Sequence, residues 1–155
     1  MNELQEIEAI KQLKYRYFRF LDTKSWGELA DCFVPDASSA YDEGRYAFAG
    51  RDAIIGFLKR ALGRASLVTM HHGHHPEITL TSATTATGIW YLEDLVIDTD
   101  RNTMLRGAAF YRDEYVREDG AWKLRATGYR RTFEEVLDRS ELPSLKLTRS
   151  ASGEG

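Results

Sequence analysis

The chain has 155 residues, 43% hydrophobic and 12% aromatic, with a formal net charge of −3 from 24 acidic and 21 basic side chains. That size and composition suit one globular domain with a real core, and so balanced a charge argues against nucleic acid or an anionic membrane as partner. The single cysteine, Cys32, excludes an intrachain disulfide. The acidic start Met1-Asn2-Glu3-Leu4-Gln5-Glu6 lacks a signal-peptide pattern, no apolar run nears the roughly 20 residues of a membrane span, and the expectation is a cytoplasmic protein.

From Glu3 to about Lys24 the spacing is helical: Ile7, Ile10, Leu13, Tyr17 and Leu21 draw one apolar stripe, with Glu6, Lys11, Lys14 and Arg19 opposite. Asp22 ends the stripe, where a carboxylate opposes the helix dipole. Ser25 and Glu28 read as a capping box for a short helix, Trp26 to Phe33, stopped by Pro35. Cys32 on that helix has no electropositive neighbour in sequence and reads as structural. Residues 37–49 read as a hairpin turning at Asp42-Glu43-Gly44. Asp52 opens a third helix with Ile54, Ile55, Leu58 and Leu62 inside and Gly63 closing it.

All four histidines fall within Met70-His71-His72-Gly73-His74-His75-Pro76. Histidine exchanges protons near neutrality, so the cluster is the first candidate for chemistry. If the segment is extended, His71 and His75 face one way and His72 and His74 the other. That split leaves too few convergent ligands for a metal, and no metal site is expected. Roles at a pocket rim, at an interface or in support of His71 suit the other three.

Three long strands follow: Thr84 to Ile97, Met104 to Arg117, and Trp122 to about Phe133, separated by turns at Asp98–Asn102 and at Glu118-Asp119-Gly120. Their partly two-sided apolar character suits a strongly bent sheet. No repeat or linker appears, so one domain is expected over residues 1–140, with a polar tail over 141–155. GxSxG, GxxxxGK[ST] and GxGxxG elements are absent from the sequence, which leaves elbow hydrolases and nucleotide or dinucleotide binding without a motif.

Helices, a hairpin and a meander of long strands make an α+β order. Its markers are Phe20-Leu21-Asp22 before Trp26-Gly27-Glu28-Leu29, Gly50-Arg51-Asp52-Ala53-Ile54, Thr84-Thr85-Ala86-Thr87-Gly88 before Trp90-Tyr91, and Tyr111-Arg112-Asp113-Glu114-Tyr115 before Glu118-Asp119-Gly120-Ala121-Trp122-Lys123. In this order, over most of residues 5–133, they resemble the SnoaL-like branch of the nuclear-transport-factor-2-like proteins. Nearest is the group of scytalone dehydratase, bile-acid dehydratase and hexachlorocyclohexane dehydrochlorinase. The resemblance implies a cone-shaped roll, in which three N-terminal helices pack on a strongly curved, mainly antiparallel sheet that encloses a pocket. It also implies chemistry without metal or organic cofactor, and a catalytic set of His71, Asp22, Tyr17, Asp94 and an arginine of the last strand, for which Arg130 is chosen.

Strand alternation places Asp94 on a face with Trp90, Leu92 and Val96, and Arg130 on one with Trp122, Leu124, Ala126 and Gly128. A charge alone on an apolar face needs a partner, so the two are expected to meet, either in a pocket or as a buried structural pair. Phe18, Phe48, Phe57, Met70, Trp90, Leu92 and Phe110 are the candidate pocket wall. The resulting expectation is a cofactor-independent lyase, dehydratase-like, whose His71-Asp22 pair removes a carbon-bound proton from a small hydrophobic ring compound of steroid, polyketide or aromatic type. The alternatives are a steroid isomerase or polyketide cyclase with the same pair, and a non-catalytic binding or assembly module, such as a relative of the dioxygenase β subunit. A homo-oligomer is expected, a trimer ahead of a dimer, because a curved sheet must cover its outer face.

Overall fold

The computed structural model describes residues 2–151; of the polar tail, its last four residues, like Met1, lie outside them. Helix α1 spans Glu3–Asp22, α2 Trp26–Ala30 and α3 Arg51–Leu62, and the strands are β1 Phe33–Tyr41, β2 Tyr46–Ala49, β3 Leu67–Leu80, β4 Thr85–Asp98, β5 Thr103–Glu118 and β6 Ala121–Asp138. They form one six-stranded sheet in the order β2-β1-β6-β5-β4-β3. Every neighbouring pair is antiparallel except β1 and β6. Helix α1 packs on β3 at one margin and reaches β6, while α3 covers β1 and β2 at the other. The sheet therefore wraps its inner face around the helices, giving the expected α+β roll.

Helix α1 begins with a capping box: the Gln5 N–H donates to Asn2 Oδ1 and the Asn2 N–H donates to Gln5 Oε1, each at 3.0 Å. Ile10, Leu13, Tyr17 and Leu21 are buried as the stripe requires. Glu6 and Lys14, expected on the solvent face, are buried too. Glu6 accepts the Trp122 indole N–H at 2.6 Å and pairs with Arg117, so the end of α1 that looked polar is tied to the last two strands. Lys24 closes the following turn by donating to the carbonyls of Arg64 and Leu67.

Helix α2 is shorter than expected. Ser25 makes no capping bond and its hydroxyl pairs with Thr23 instead. The chain leaves the helix after Ala30 because Phe33 and Val34 are buried as strand residues. Pro35 lies inside β1, at the irregularity between Phe33 and Ser38, where a missing N–H disturbs no regular ladder. Helix α3 starts at Arg51 on Gly50, with no side-chain cap, and Asp52 is exposed in its first turn.

The histidine segment belongs to a fourth long strand, β3, at the sheet margin. Strands β4 and β5 pair without interruption, joined by a turn in which Asp98 accepts the Asp100 and Arg101 N–H groups. Asp119 and Gly120 both have positive φ, 49° and 81°, which suits the two-residue turn between β5 and β6.

Candidate active site

Asp22 is the last residue of α1, and three donors converge on its carboxylate. The Thr69 hydroxyl donates at 2.8 Å, the His71 backbone N–H at 2.8 Å, and His71 Nδ1 lies 2.7 Å from Oδ1. These bonds offset the unfavourable end of the helix dipole. A carboxylate only accepts, so in the neutral imidazole Nδ1 carries the proton and Nε2 the lone pair. The main-chain bond and the ring bond together fix the imidazole to the helix end. Two residues on, Gly73 lets α1 come close: a Cβ there would stand 2.3 Å from the Phe18 ring.

His71 sits directly opposite Asp94 in the β3–β4 register. Asp94, 4% exposed, receives two bonds from a guanidinium, as expected, but from Arg131 rather than Arg130. Arg130 points outward, its side chain 79% exposed and paired with Glu43. The correction has a definite cause. Strand β6 carries a bulge at Arg125, between Leu124, which faces Tyr115, and Ala126, which faces Glu114. One extra residue flips the alternation, so Thr127, Tyr129 and Arg131 turn inward after it. Burial opposes the charge on Arg131, and the bonds from Asp94 more than offset that, holding its pKa above the ordinary arginine value.

The reach from β6 to β4 crosses β5 at Gly107. A Cβ there would lie 2.8 Å from Arg131 Nη1 and 2.7 Å from the Phe133 carbonyl. A side chain at this position would block the guanidinium, so glycine is what admits the Asp94–Arg131 pair.

Tyr17 is fully buried, and its hydroxyl and that of Tyr41 lack a partner of good hydrogen-bonding geometry. Burial first, and the neighbouring Tyr111 next, raise the Tyr17 pKa well above the tyrosine range, so it stays protonated as a potential donor. Behind it stands a group that periodicity did not single out. Lys14 Nζ lies 2.8 Å from Asp113 Oδ2, with both side chains sealed from solvent. Asp113 also accepts from Tyr115 at 2.7 Å and Thr127 at 2.6 Å, and Tyr115 accepts from Trp90. The ammonium rests over the Tyr111 ring at 3.7 Å from its centre and also near Tyr17. In sequence its signal was position alone, four residues after Ile10 and three before Tyr17.

The candidate wall residues fall into separate groups. Trp90, Leu92 and Phe18 are buried on the inner face. Phe57 of α3 stacks on Phe48 with ring centres 4.5 Å apart, and on Tyr41 and Tyr46. Met70 alternates away from His71, and Phe110, 42% exposed, meets Tyr91 on the outer face. The dyad opens on a groove of about 490 Å³ between α1 and β3, lined by Tyr15, Phe18, Arg19, Asp22, His71 and Gly73 among others. A larger concavity of about 1090 Å³ lies on the outer face beside Phe110, Arg112 and Arg130. It includes no residue of the dyad.

Solved structures with this architecture include a candidate scytalone dehydratase of Novosphingobium aromaticivorans, 28% identical, matched over 85% of this chain and 87% of that one with a TM-score of 0.79. A type 2 hexachlorocyclohexane dehydrochlorinase matches at 25% identity over 86% and 90% with a TM-score of 0.78. A type 3 dehydrochlorinase of Novosphingobium barchaimii matches at 25% over 86% and 91% with a TM-score of 0.77. The chain thus has a fold used for small-molecule chemistry. The family model described as SnoaL-like domain matches residues 2–127, and the chain belongs to that family.

Proposed function

We propose that the chain is a cofactor-independent lyase of dehydratase type, with His71 as general base. The observation that carries this reading is the Asp22–His71 contact, which leaves Nε2 as the free basic nitrogen of a residue tied to Asp22 through its backbone N–H and Nδ1. Nε2 takes the carbon-bound proton, the C–H electron pair becomes the new double bond, and hydroxide leaves from the neighbouring carbon with its electron pair, receiving that proton from the imidazolium to depart as water. Asp22 stabilises the imidazolium that forms. Arg131, held by Asp94 directly across from His71, supplies a fixed cation where negative charge develops, and Tyr17, on the same helix as Asp22, stays protonated.

The two named neighbour activities, scytalone dehydration and dehydrochlorination, both support elimination as the reaction class. The substrate class is a small hydrophobic ring compound of steroid, polyketide or aromatic type. Isomerisation through an enolate is the second reading, favoured by the same arginine, which suits an oxyanion as well as a leaving group. A homo-oligomer is part of the proposal, supported by the apolar side chains exposed on the strands, Tyr91, Phe110, Phe133 and Val136.

The test is a panel of hydroxylated steroids, polyketides and aromatic alcohols, screened by thermal shift and then incubated with wild type, His71→Ala and Asp22→Asn while product mass is followed. Loss of one water by wild type, reduced about a hundredfold or more in His71→Ala, supports the lyase. A product of unchanged mass moves the assignment to isomerase. Binding without turnover in wild type refutes both.

A further inference from the structure

We infer a divalent transition-metal site on the outer face of the sheet margin, built by His72, His74 and Glu93. Sequence alternation finds two histidines on that side of β3, too few for a site. Strand pairing supplies the third group: Glu93 of β4 stands directly opposite His72, and His74 lies one same-face position further along β3. One ligand atom from each of the three falls within 4.8 Å of the others. His74 Nε2 is already 3.5 Å from Glu93 Oε2, and the two imidazoles meet edge to face at 5.8 Å.

The geometry suits a small tetrahedral ion. Metal–nitrogen and metal–oxygen bonds of about 2.0–2.2 Å place neighbouring ligand atoms roughly 3.3 Å apart. The His74–Glu93 spacing is near that value, and rotation of the exposed His72 side chain closes the rest. Two imidazoles and a carboxylate select zinc-class ions over calcium or magnesium, which prefer all-oxygen shells. Three protein ligands leave the fourth position to water or an exogenous group.

Alternate residues of β3 point to opposite faces, so His71 turns in to Asp22 while His72 and His74 turn out, although both also border the groove on which Asp22 and His71 open. Metal uptake is read without turnover, so it stands or falls apart from the proposed reaction. It joins β3, which has no strand on its other side among the described residues, to β4. An ion bound there would clamp the margin that carries His71.

The experiment uses full-length protein without a histidine tag, stripped with chelator, and titrated with zinc chloride by calorimetry and with cobalt(II) by visible absorption. Wild type is expected to take one ion per chain, with the intense cobalt bands of four-coordinate geometry and a raised Tm. His72→Ala and His74→Ala should each weaken binding at least about tenfold, since even partners of ligands cost that much in other sites. Glu93→Gln should weaken it as well, and His75→Ala should not. Unchanged melting of the stripped variants separates ligand loss from misfolding. Uptake that survives both histidine variants, or no saturable uptake by wild type, overturns the site.

Discussion

Replacing Lys14 by methionine tests the frame that holds the dyad. The substitution keeps the length of the side chain among the Tyr17, Phe18 and Tyr111 rings but removes the ammonium beside Asp113. Breaking one partner of a buried pair leaves an uncompensated charge and typically costs about 3–5 kcal/mol. Asp113 would keep its bonds from Tyr115 and Thr127, which puts the expected loss near the lower end, about 3 kcal/mol. With a urea slope of about 2 kcal/mol/M for a domain of this size, the midpoint should fall by roughly 1.5 M. In the double variant Lys14→Met with Asp113→Asn, the amide oxygen still accepts from one hydroxyl, its NH2 donates to the other hydroxyl's oxygen, and the stranded charge is gone, so most of the loss should be recovered. Equilibrium urea unfolding of the three proteins at neutral pH decides it. A single variant within about 1 kcal/mol of wild type, or a double variant no better than the single, would refute the view that this pair is a buried charge couple docking α1 on β5.

Gly107→Ala should push Arg131 off Asp94, because its Cβ would crowd both Nη1 and the Phe133 carbonyl. Overpacking of this kind costs about 1–3 kcal/mol and, at about 2–4 °C per kcal/mol, lowers Tm by several degrees; calorimetry checks it, and an unchanged Tm would be the contrary result. Tyr17, Tyr41, Tyr111 and Tyr115 all have pKa values raised well above the tyrosine range, chiefly by burial. Their folded forms hold protons that the unfolded forms release, so the stability they contribute is intact below about pH 10 and falls as pH rises beyond it. Lys14, whose pKa burial lowers, works in the opposite direction, but its window lies below about pH 10.5 and so largely under that of the tyrosines. Absorbance at alkaline pH should therefore show these four of the eight tyrosines ionising only as the protein unfolds; smooth titration of all eight in folded protein would contradict it. Burial also pushes the Cys32 thiol up to about 11, so a thiol reagent at pH 8 should label it only after unfolding.

Much of the site was legible in the residues, and its failures have specific causes. The contact of Asp22 with His71 was expected because a charged end to an apolar stripe and a histidine-rich segment are both anomalies, and because the family resemblance pairs those two positions. Asp94 came from the resemblance, and an acid on an apolar face added the expectation of a guanidinium partner from the last strand. Arg131 was missed by one position because a bulge at Arg125 has no signature in a strand already mixed in polarity. Lys14 and Glu6 were assigned to solvent because periodicity sorts residues by type, while their burial depends on Asp113 and Trp122, more than ninety residues away. Glu93 had no signal at all until pairing set it beside His72. In each case the missing information is a relation between elements distant in the chain or a shift in strand alternation, and local pattern carries neither.

The parallel pairing of β1 with β6 has a consequence for how this protein is made. Strand β1 sits between β2 and β6, so the first hairpin joins the sheet only through its last strand. During synthesis α1 can meet β3 early, yet Asp94 waits for Arg131 and Glu6 waits for Trp122. Contacts so distant along the chain must close large loops before they return any stabilisation, which makes folding slow and all-or-none. Until β6 emerges, β5 and the hairpin each present an unpaired edge to other chains. That interval is when the growing polypeptide is most exposed to mispairing and has most use for a chaperone.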